Sequence, residues 1–202
     1  MSDRVGGWIC TSRGVAFHPL DPRPEDVHVE DIAHALGNQC RFSGHVSDFY
    51  SVGEHSWRVS FLVEAMFFAR PETSVGEVAR AALVGLLHDA SEAYMVDLPR
   101  PLKLLPEFEA YRVHEANLQG MIYRSFGLAP DETVEAAVHL ADNILLATEK
   151  RDLMPQLSWN GEALRAWAPL PPPLEERIEP WAPGYARTRF LHRYKQLKEA
   201  IR

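Results

Sequence analysis

The stretch Leu86-Leu87-His88-Asp89-Ala90-Ser91-Glu92 constrains the chain more than any other. An apolar run from Ala81 to Leu87 ends on a histidine beside a carboxylate, and a second carboxylate, Glu92, follows one helical turn after His88. Burying such groups costs several kcal/mol unless they are paired or bound to a metal ion. A buried helix leading directly into His-Asp therefore implies a site, and other parts of the chain must complete it.

The surrounding pattern is helical. Residues 8–17 read as a small hairpin, with a turn at Ser12-Arg13-Gly14. A short helix is expected from about Glu30 to Gln39 with Ile32, Ala33 and Leu36 inward, followed by a loop, Arg41-Phe42-Ser43-Gly44-His45. Ser51 and Glu54 form a capping-box pattern that predicts a helix reaching Ala69. Ser74 and Glu77 repeat it and predict a helix running through His88-Asp89 to about Tyr94. Asp97-Leu98-Pro99-Arg100-Pro101 cannot continue that helix, because proline lacks the donor and disfavours helix before it. Further helices are expected over Pro106–Phe126, closed by Gly127, and from Glu132 to about Leu153. Residues 154–183, rich in proline and tryptophan (Pro155, Trp159, Trp167, Trp181), read as an irregular wrap with at most one short helical turn. A final helix is expected from about Tyr185 to Ile201, with Phe190, Tyr194, Leu197 and Ile201 on one stripe. The 202 residues suffice for one domain with a sizeable core, so the expectation is a single all-α domain, core about 31–152, with a small N-terminal hairpin.

Two other polar residues sit where an apolar face is expected. From Ala136 to Ala147 the chain is apolar except for His139, Asp142 and Asn143, so Asp142 needs a partner: an arginine, a backbone cap or a metal. His55 lies on a helix whose inward face is otherwise Val52, Val59, Leu62, Val63 and Met66. Each has a bland explanation alone, since a single histidine on an apolar face is more often a hydrogen-bonded core residue than a ligand. Together, two histidines and two carboxylates on three helices suit a divalent ion such as Mn, Fe, Co or Zn, with Mg also admissible. They leave coordination positions open for water and substrate.

The order His55 … His88-Asp89 … Asp142 resembles the H…HD…D signature of the HD-domain metal-dependent phosphohydrolases, an all-α superfamily. Glu54-His55-Ser56, His88-Asp89-Ala90-Ser91-Glu92 and Asp97-Leu98-Pro99-Arg100-Pro101-Leu102-Lys103 resemble its 5'-deoxynucleotidase branch. The likeness spans roughly Asp31 to Asp152. Asp31-Ile32-Ala33-His34 and Arg41-Phe42-Ser43-Gly44-His45 resemble a phage and bacterial subgroup whose substrates are mono- or triphosphates. The resemblance implies that His55, His88, Asp89 and Asp142 are metal ligands and that Glu92 transfers a proton near the ion. It implies that Asp97 contacts the nucleotide sugar, that Arg41 binds phosphate, and that Phe42 stands where the family has a tryptophan under the base. Lys103 adds positive charge for the phosphate, and His45 is either a phosphate contact or a brace for the loop. The expected activity is hydrolysis of a (deoxy)nucleoside 5'-monophosphate. The alternatives are a deoxynucleoside triphosphohydrolase and a non-catalytic nucleotide-binding module.

Charge narrows the partners. A net charge of -7 argues against a duplex nucleic-acid binder, whose footprint would be basic, but admits a small phosphorylated ligand held by a few cations and an ion. Cys10 and Cys40 form no C-x-x-C pair, which fits a reducing, cytoplasmic setting without a disulfide framework. No apolar run approaches the length of a membrane span, and Met1 to Gly7 lacks the apolar core of a signal peptide. Tryptophan clusters in the C-terminal wrap suit a homo-oligomer contact. His34 and His139 read as supporting or core groups, and Glu149-Lys150-Arg151-Asp152 as a solvated, internally paired face.

Overall fold

A computed structural model describes residues 4–155 and 169–202, which are mostly helical, with one short two-stranded ribbon. Strands β1 (Ile9–Cys10) and β2 (Ala16–Phe17) pair antiparallel, Ile9 opposite Phe17 and Cys10 opposite Ala16. Asp31, buried in α1 (Val29–Asn38), anchors this hairpin by accepting from the Ser12 hydroxyl at 2.6 Å and the Arg13 N–H at 2.9 Å. Ile32, Ala33 and Leu36 of α1 are fully buried, as their spacing requires.

Helix α2 (Val52–Phe68) begins where the Ser51 hydroxyl accepts the Glu54 N–H at 3.0 Å. The cap is only half of the expected box. The Glu54 carboxylate turns to Arg58, at 2.7 and 3.0 Å, and to the Trp181 N–H, at 2.8 Å. The box at Ser74 is complete and opens α3 (Val75–Leu86): the Glu77 N–H bonds the Ser74 hydroxyl, and the Glu77 carboxylate accepts the Ser74 N–H at 2.8 Å. Ser74→Ala is expected to lower stability by about 1 kcal/mol in denaturant titration. The bonds from Ser74 hold the Glu77 carboxyl below its usual range. The box therefore contributes at neutral pH and fades as pH falls through the carboxylate range, a dependence that Ser74→Ala should flatten.

Helix α3 is the centre of the core, with Val78, Ala79, Leu83, Val84 and Leu86 buried. It lies unusually close to α2 at Gly85, where an added Cβ would stand 3.1 Å from Val63 Cγ2 and 3.3 Å from Ser60 Cα. That approach puts the end of α3 against the middle of α2. The helix stops at Leu86 and does not run through His88-Asp89 as expected. Its last carbonyls are taken by side chains: Gly85 O by His88 Nδ1 at 2.9 Å, and Leu87 O by Gln119 Nε2 at 2.7 Å. The chain then tightens into turns (Ala90 N–H to Leu87 O, Glu92 N–H to Asp89 O) before the single-turn helix α4 (Glu92–Met95).

After Asp97-Leu98-Pro99 comes another single turn, α5 (Arg100–Lys103), where only a break is expected. Helix α6 (Glu109–Ser125) buries Leu118, Met121 and Ile122, and Gly127 turns the chain out of it at φ +72°. Helix α7 (Glu132–Asp152) is capped by the Asp131 carboxylate and packs on α2. Helix α8 (Pro183–Ala200) lies across α1, α2 and α3, with Phe190 and Leu197 buried.

Residues 169–182 form the irregular wrap and follow the end of α7. Leu174 N–H bonds Thr148 Oγ1 at 3.0 Å, and Ile178 N–H bonds Asp152 Oδ2 at 2.9 Å, seating Ile178 against Tyr50 and Leu153. Trp181 meets Trp57 at 4.8 Å and Tyr185 at 5.1 Å, so these aromatics pack on one another within the chain. Trp159 and Trp167 lie outside the described residues. No helix among the described residues is long and apolar enough to cross a membrane.

Candidate metal centre

His55 enters the site from the first turn of α2 and is fully buried. The close packing at Gly85 sets His88 against it, with the two Nε2 atoms 3.3 Å apart. Asp89 follows on the same turn, its Oδ2 3.2 Å from His88 Nε2 and 3.8 Å from His55 Nε2. Asp142, the fourth expected ligand, meets His55 from α7, with Oδ1 3.2 Å from His55 Nε2, and stands outside the close group that the other three form. His55, His88 and Asp89 together could hold a metal ion.

The hydrogen bonds on the far side of each ring define what the near side offers. His55 Nδ1 faces Glu149 Oε1 at 2.7 Å, and His88 Nδ1 faces Gly85 O at 2.9 Å. Both partners are acceptors, so each Nδ1 carries a proton and each ring turns its Nε2 inward. A ring tied in this way can offer its Nε2 lone pair, and beside the carboxylates it gives a set of ligand atoms suited to a cation, for which a proton on His55 competes. Mixed imidazole and carboxylate donors fit a borderline divalent ion, and tying Nδ1 to an acceptor is the usual support of a metal-bound histidine. The site's demand for positive charge shows in its titration. Burial and Arg41 oppose protonation of His55, yet Glu149 and Asp142 push its pKa up to about 9. Burial also works against the charge on Asp142, but the bond from His55 brings its pKa down to about 2. His88, His55 and Arg41 likewise hold Asp89 well below the carboxylate range despite its burial. Side-chain exposure rises from none at His55 to 37% at Asp142, so the centre opens on the Asp142 side.

Glu92 stands beside this group, 7% exposed, and its Oε2 has no hydrogen-bond partner among the described residues. Burial, then the nearby charges of Asp89 and Asp97, raise its pKa well above the usual value and favour its protonated form. Asp97 is half-buried and also raised, chiefly by burial. Val96 takes φ +72°, a left-handed conformation costly for a β-branched residue, and turns the chain at this point. The Tyr111 hydroxyl secures that turn, lying 2.9 Å from Met95 O and 2.8 Å from Val96 O.

The substrate candidates divide. Arg41 reaches the centre: its Nη2 is 3.2 Å from Glu149 Oε2 and its Nη1 3.6 Å from Asp89 Oδ2, with the guanidinium 5.1 Å from the Phe42 ring. Phe42 and Ser43 adopt left-handed φ near +55°, which folds their loop tightly. Lys103 lies within electrostatic reach of Glu92 and Asp89 but is engaged by Glu115 at 2.8 Å. His45 is exposed, and among the described residues no bond joins its ring to the centre. His139 is exposed and pairs with Asn143, so it is neither a core residue nor a support of the ligands. His34 is half-buried on α1, beside the hairpin.

Three supporting residues escape a reading of the sequence alone. Gln39 donates to Glu92 O at 3.0 Å and accepts the Asp97 N–H at 2.6 Å, clamping α4 to the end of α1. Gln119 accepts the Ser91 N–H at 3.0 Å while donating to Leu87 O, which brackets the His88-Asp89 turn from α6. Glu149 corrects the expectation of a solvated face: its side chain is wholly buried between His55 and Arg41. The signal for it was present, because Glu149 lies seven residues, two turns, after Asp142 on the same face of α7. Asp152 is partly buried, its carboxylate covered and bound by Arg151 at 2.7 Å and by the Ile178 N–H.

Fold and site together define an all-α protein with a His/Asp group that could hold a metal ion. The chain is 36% identical over 193 residues to the uncharacterized protein YfdR of Escherichia coli (strain K12), covering 95% of this chain and 96% of that one. It is 35% identical over 150 residues to the uncharacterized protein RCAP_rcc00048 of Rhodobacter capsulatus, covering 72% of each. The chain belongs to the family of YfdR. No protein-family model matches it.

Proposed function

We propose that this chain is a divalent-metal phosphohydrolase of the HD class that cleaves a nucleotide phosphate ester, a (deoxy)nucleoside 5'-monophosphate going to nucleoside plus phosphate. The observation that supports the reading is the meeting of His55 Nε2, His88 Nε2 and Asp89 Oδ2, with Asp142 Oδ1 3.2 Å from His55 Nε2, beside a buried acid of raised pKa and an arginine. The ions that suit these donors are Mn, Co, Fe and Zn, with Mg admissible. An ion held there supplies Lewis acidity and lowers the pKa of water at the site.

The protein's own groups do the rest. Arg41 offers a fixed guanidinium to the phosphate oxygens, and Lys103 adds positive charge behind it. Asp97, whose charge acts on Glu92, is the group we assign to a sugar hydroxyl. Attack by water at phosphorus breaks the bond to the 5' oxygen, and the Glu92 proton passes to that oxygen. The proton released by the water restores the acid. Burial is what equips Glu92 for this step, because a carboxyl in solution would be ionised at neutral pH.

The test is a screen of nucleoside mono-, di- and triphosphates with each ion, products identified by mass. Inorganic phosphate from a monophosphate is the expected result. Intact triphosphate from a deoxynucleoside triphosphate would reassign the chain to triphosphate release. Absence of any product from an ion-loaded protein would leave a nucleotide-binding module.

A further inference from the structure

Glu149 divides its two oxygens between two functional groups. Oε1 accepts Nδ1–H of His55 at 2.7 Å, and Oε2 accepts Nη2–H of Arg41 at 3.2 Å, with the side chain fully withdrawn from water. Arg41 is itself mostly buried and spans from Glu149 to Asp89, where its Nη1 lies 3.6 Å from Oδ2. The two residues that Glu149 joins come from separate elements, the loop after α1 and the first turn of α2. The antiparallel bridge between Cys40 and Ser51 lays these segments side by side. A buried ion pair is weak as a source of stability, since apolar side chains of similar volume often serve as well. Its value here lies in orientation: one carboxylate fixes the tautomer of an imidazole and the direction of a guanidinium at once.

We propose that Glu149 is a positioning residue that aims His55 Nε2 at the metal position and holds Arg41 with Nη1 turned to a phosphate oxygen. Ion binding and anion binding are thereby linked through one side chain. The proposal rests on the metal-centre reading above. Nη2 is committed to Glu149, so Nη1, shared loosely with Asp89, is the arm that serves an anion. A carboxylate on Nδ1–H also makes Nε2 a stronger donor than a carbonyl partner would.

Two variants separate the arms. Glu149→Gln keeps the volume and an oxygen for His55 but sets an amide N–H against Arg41, whereas Glu149→Leu removes both bonds. Cobalt(II) titration, followed by calorimetry and the visible spectrum, should show Glu149→Leu weaker than wild type by about 10- to 100-fold. Glu149→Gln should lose less than about tenfold in cobalt affinity. Inorganic phosphate binding to the cobalt-loaded protein should weaken by about tenfold in Glu149→Gln. Wild-type cobalt affinity and spectrum in Glu149→Leu would overturn the His55 arm, and unchanged phosphate binding in Glu149→Gln the Arg41 arm. Should Glu149→Leu not fold, Arg41→Gln carries the test beside Glu149→Gln. It should weaken phosphate as Glu149→Gln does while leaving cobalt affinity within about threefold of wild type. A loss of cobalt affinity in Arg41→Gln beyond that of Glu149→Gln would overturn the assignment. These titrations need no turnover. Absence of hydrolysis therefore overturns the functional reading alone, and a wild-type chain that binds no cobalt overturns both.

Discussion

Glu92→Gln is expected to bind cobalt(II) as the wild type does and to lose about 10²- to 10⁴-fold in kcat on a deoxynucleoside monophosphate, with KM nearly unchanged. The substitution is isosteric and replaces a buried carboxyl whose pKa is raised, so it keeps the shape of the side chain and mimics its protonated form. What disappears is a transferable proton. The acid is placed by its backbone, with Gln39 holding its carbonyl and the turn from Asp89 holding its N–H, which leaves Oε2 unpartnered for a substrate oxygen. Full activity in the variant would remove Glu92 from the chemistry. Loss of the ion would instead move it among the ligands.

Asp89→Asn is expected to act at the other end of the account, on the ion itself. Asparagine keeps the shape of the side chain but removes a charge that His88, His55 and Arg41 all face. Cobalt affinity should fall by more than about 100-fold, beyond the loss an outer partner produces. The consequence also registers without activity. An ion present at about 100 times its Kd stabilises the wild type by about 2.7 kcal/mol, and that gain should vanish in Asp89→Asn thermal melts. A variant that still gains stability from cobalt would mean that Asp89 serves Arg41 and not the ion.

Local chemistry carried most of the helices in the sequence. Ser74 with Glu77 is a complete cap, and the stripe Ile32, Ala33, Leu36 is fully buried. Asp142 stood out because a carboxylate within an apolar run needs a partner, and it lies 3.2 Å from His55. What was not legible depends on partners distant in the chain. Just past the end of α3, the Leu87 carbonyl is bonded by Gln119, a residue with no local mark of that role. Glu149 sits in a run of charges that reads as a solvated face, and only Arg41 and His55, from elements far upstream, make it buried. Glu54 fits the capping pattern, yet Arg58 and the Trp181 N–H take its carboxylate. His45 belongs to a loop whose neighbour Arg41 reaches the centre, but the left-handed backbone at Phe42 and Ser43 precedes it, and it lies exposed.

The most direct test of the central claim is phosphate release from dAMP by the purified chain, measured after chelation and again after reloading with manganese or cobalt. The account predicts no release from the stripped protein and its recovery with the ion. Release that is indifferent to chelation, or none from protein with one ion bound per chain, would contradict it.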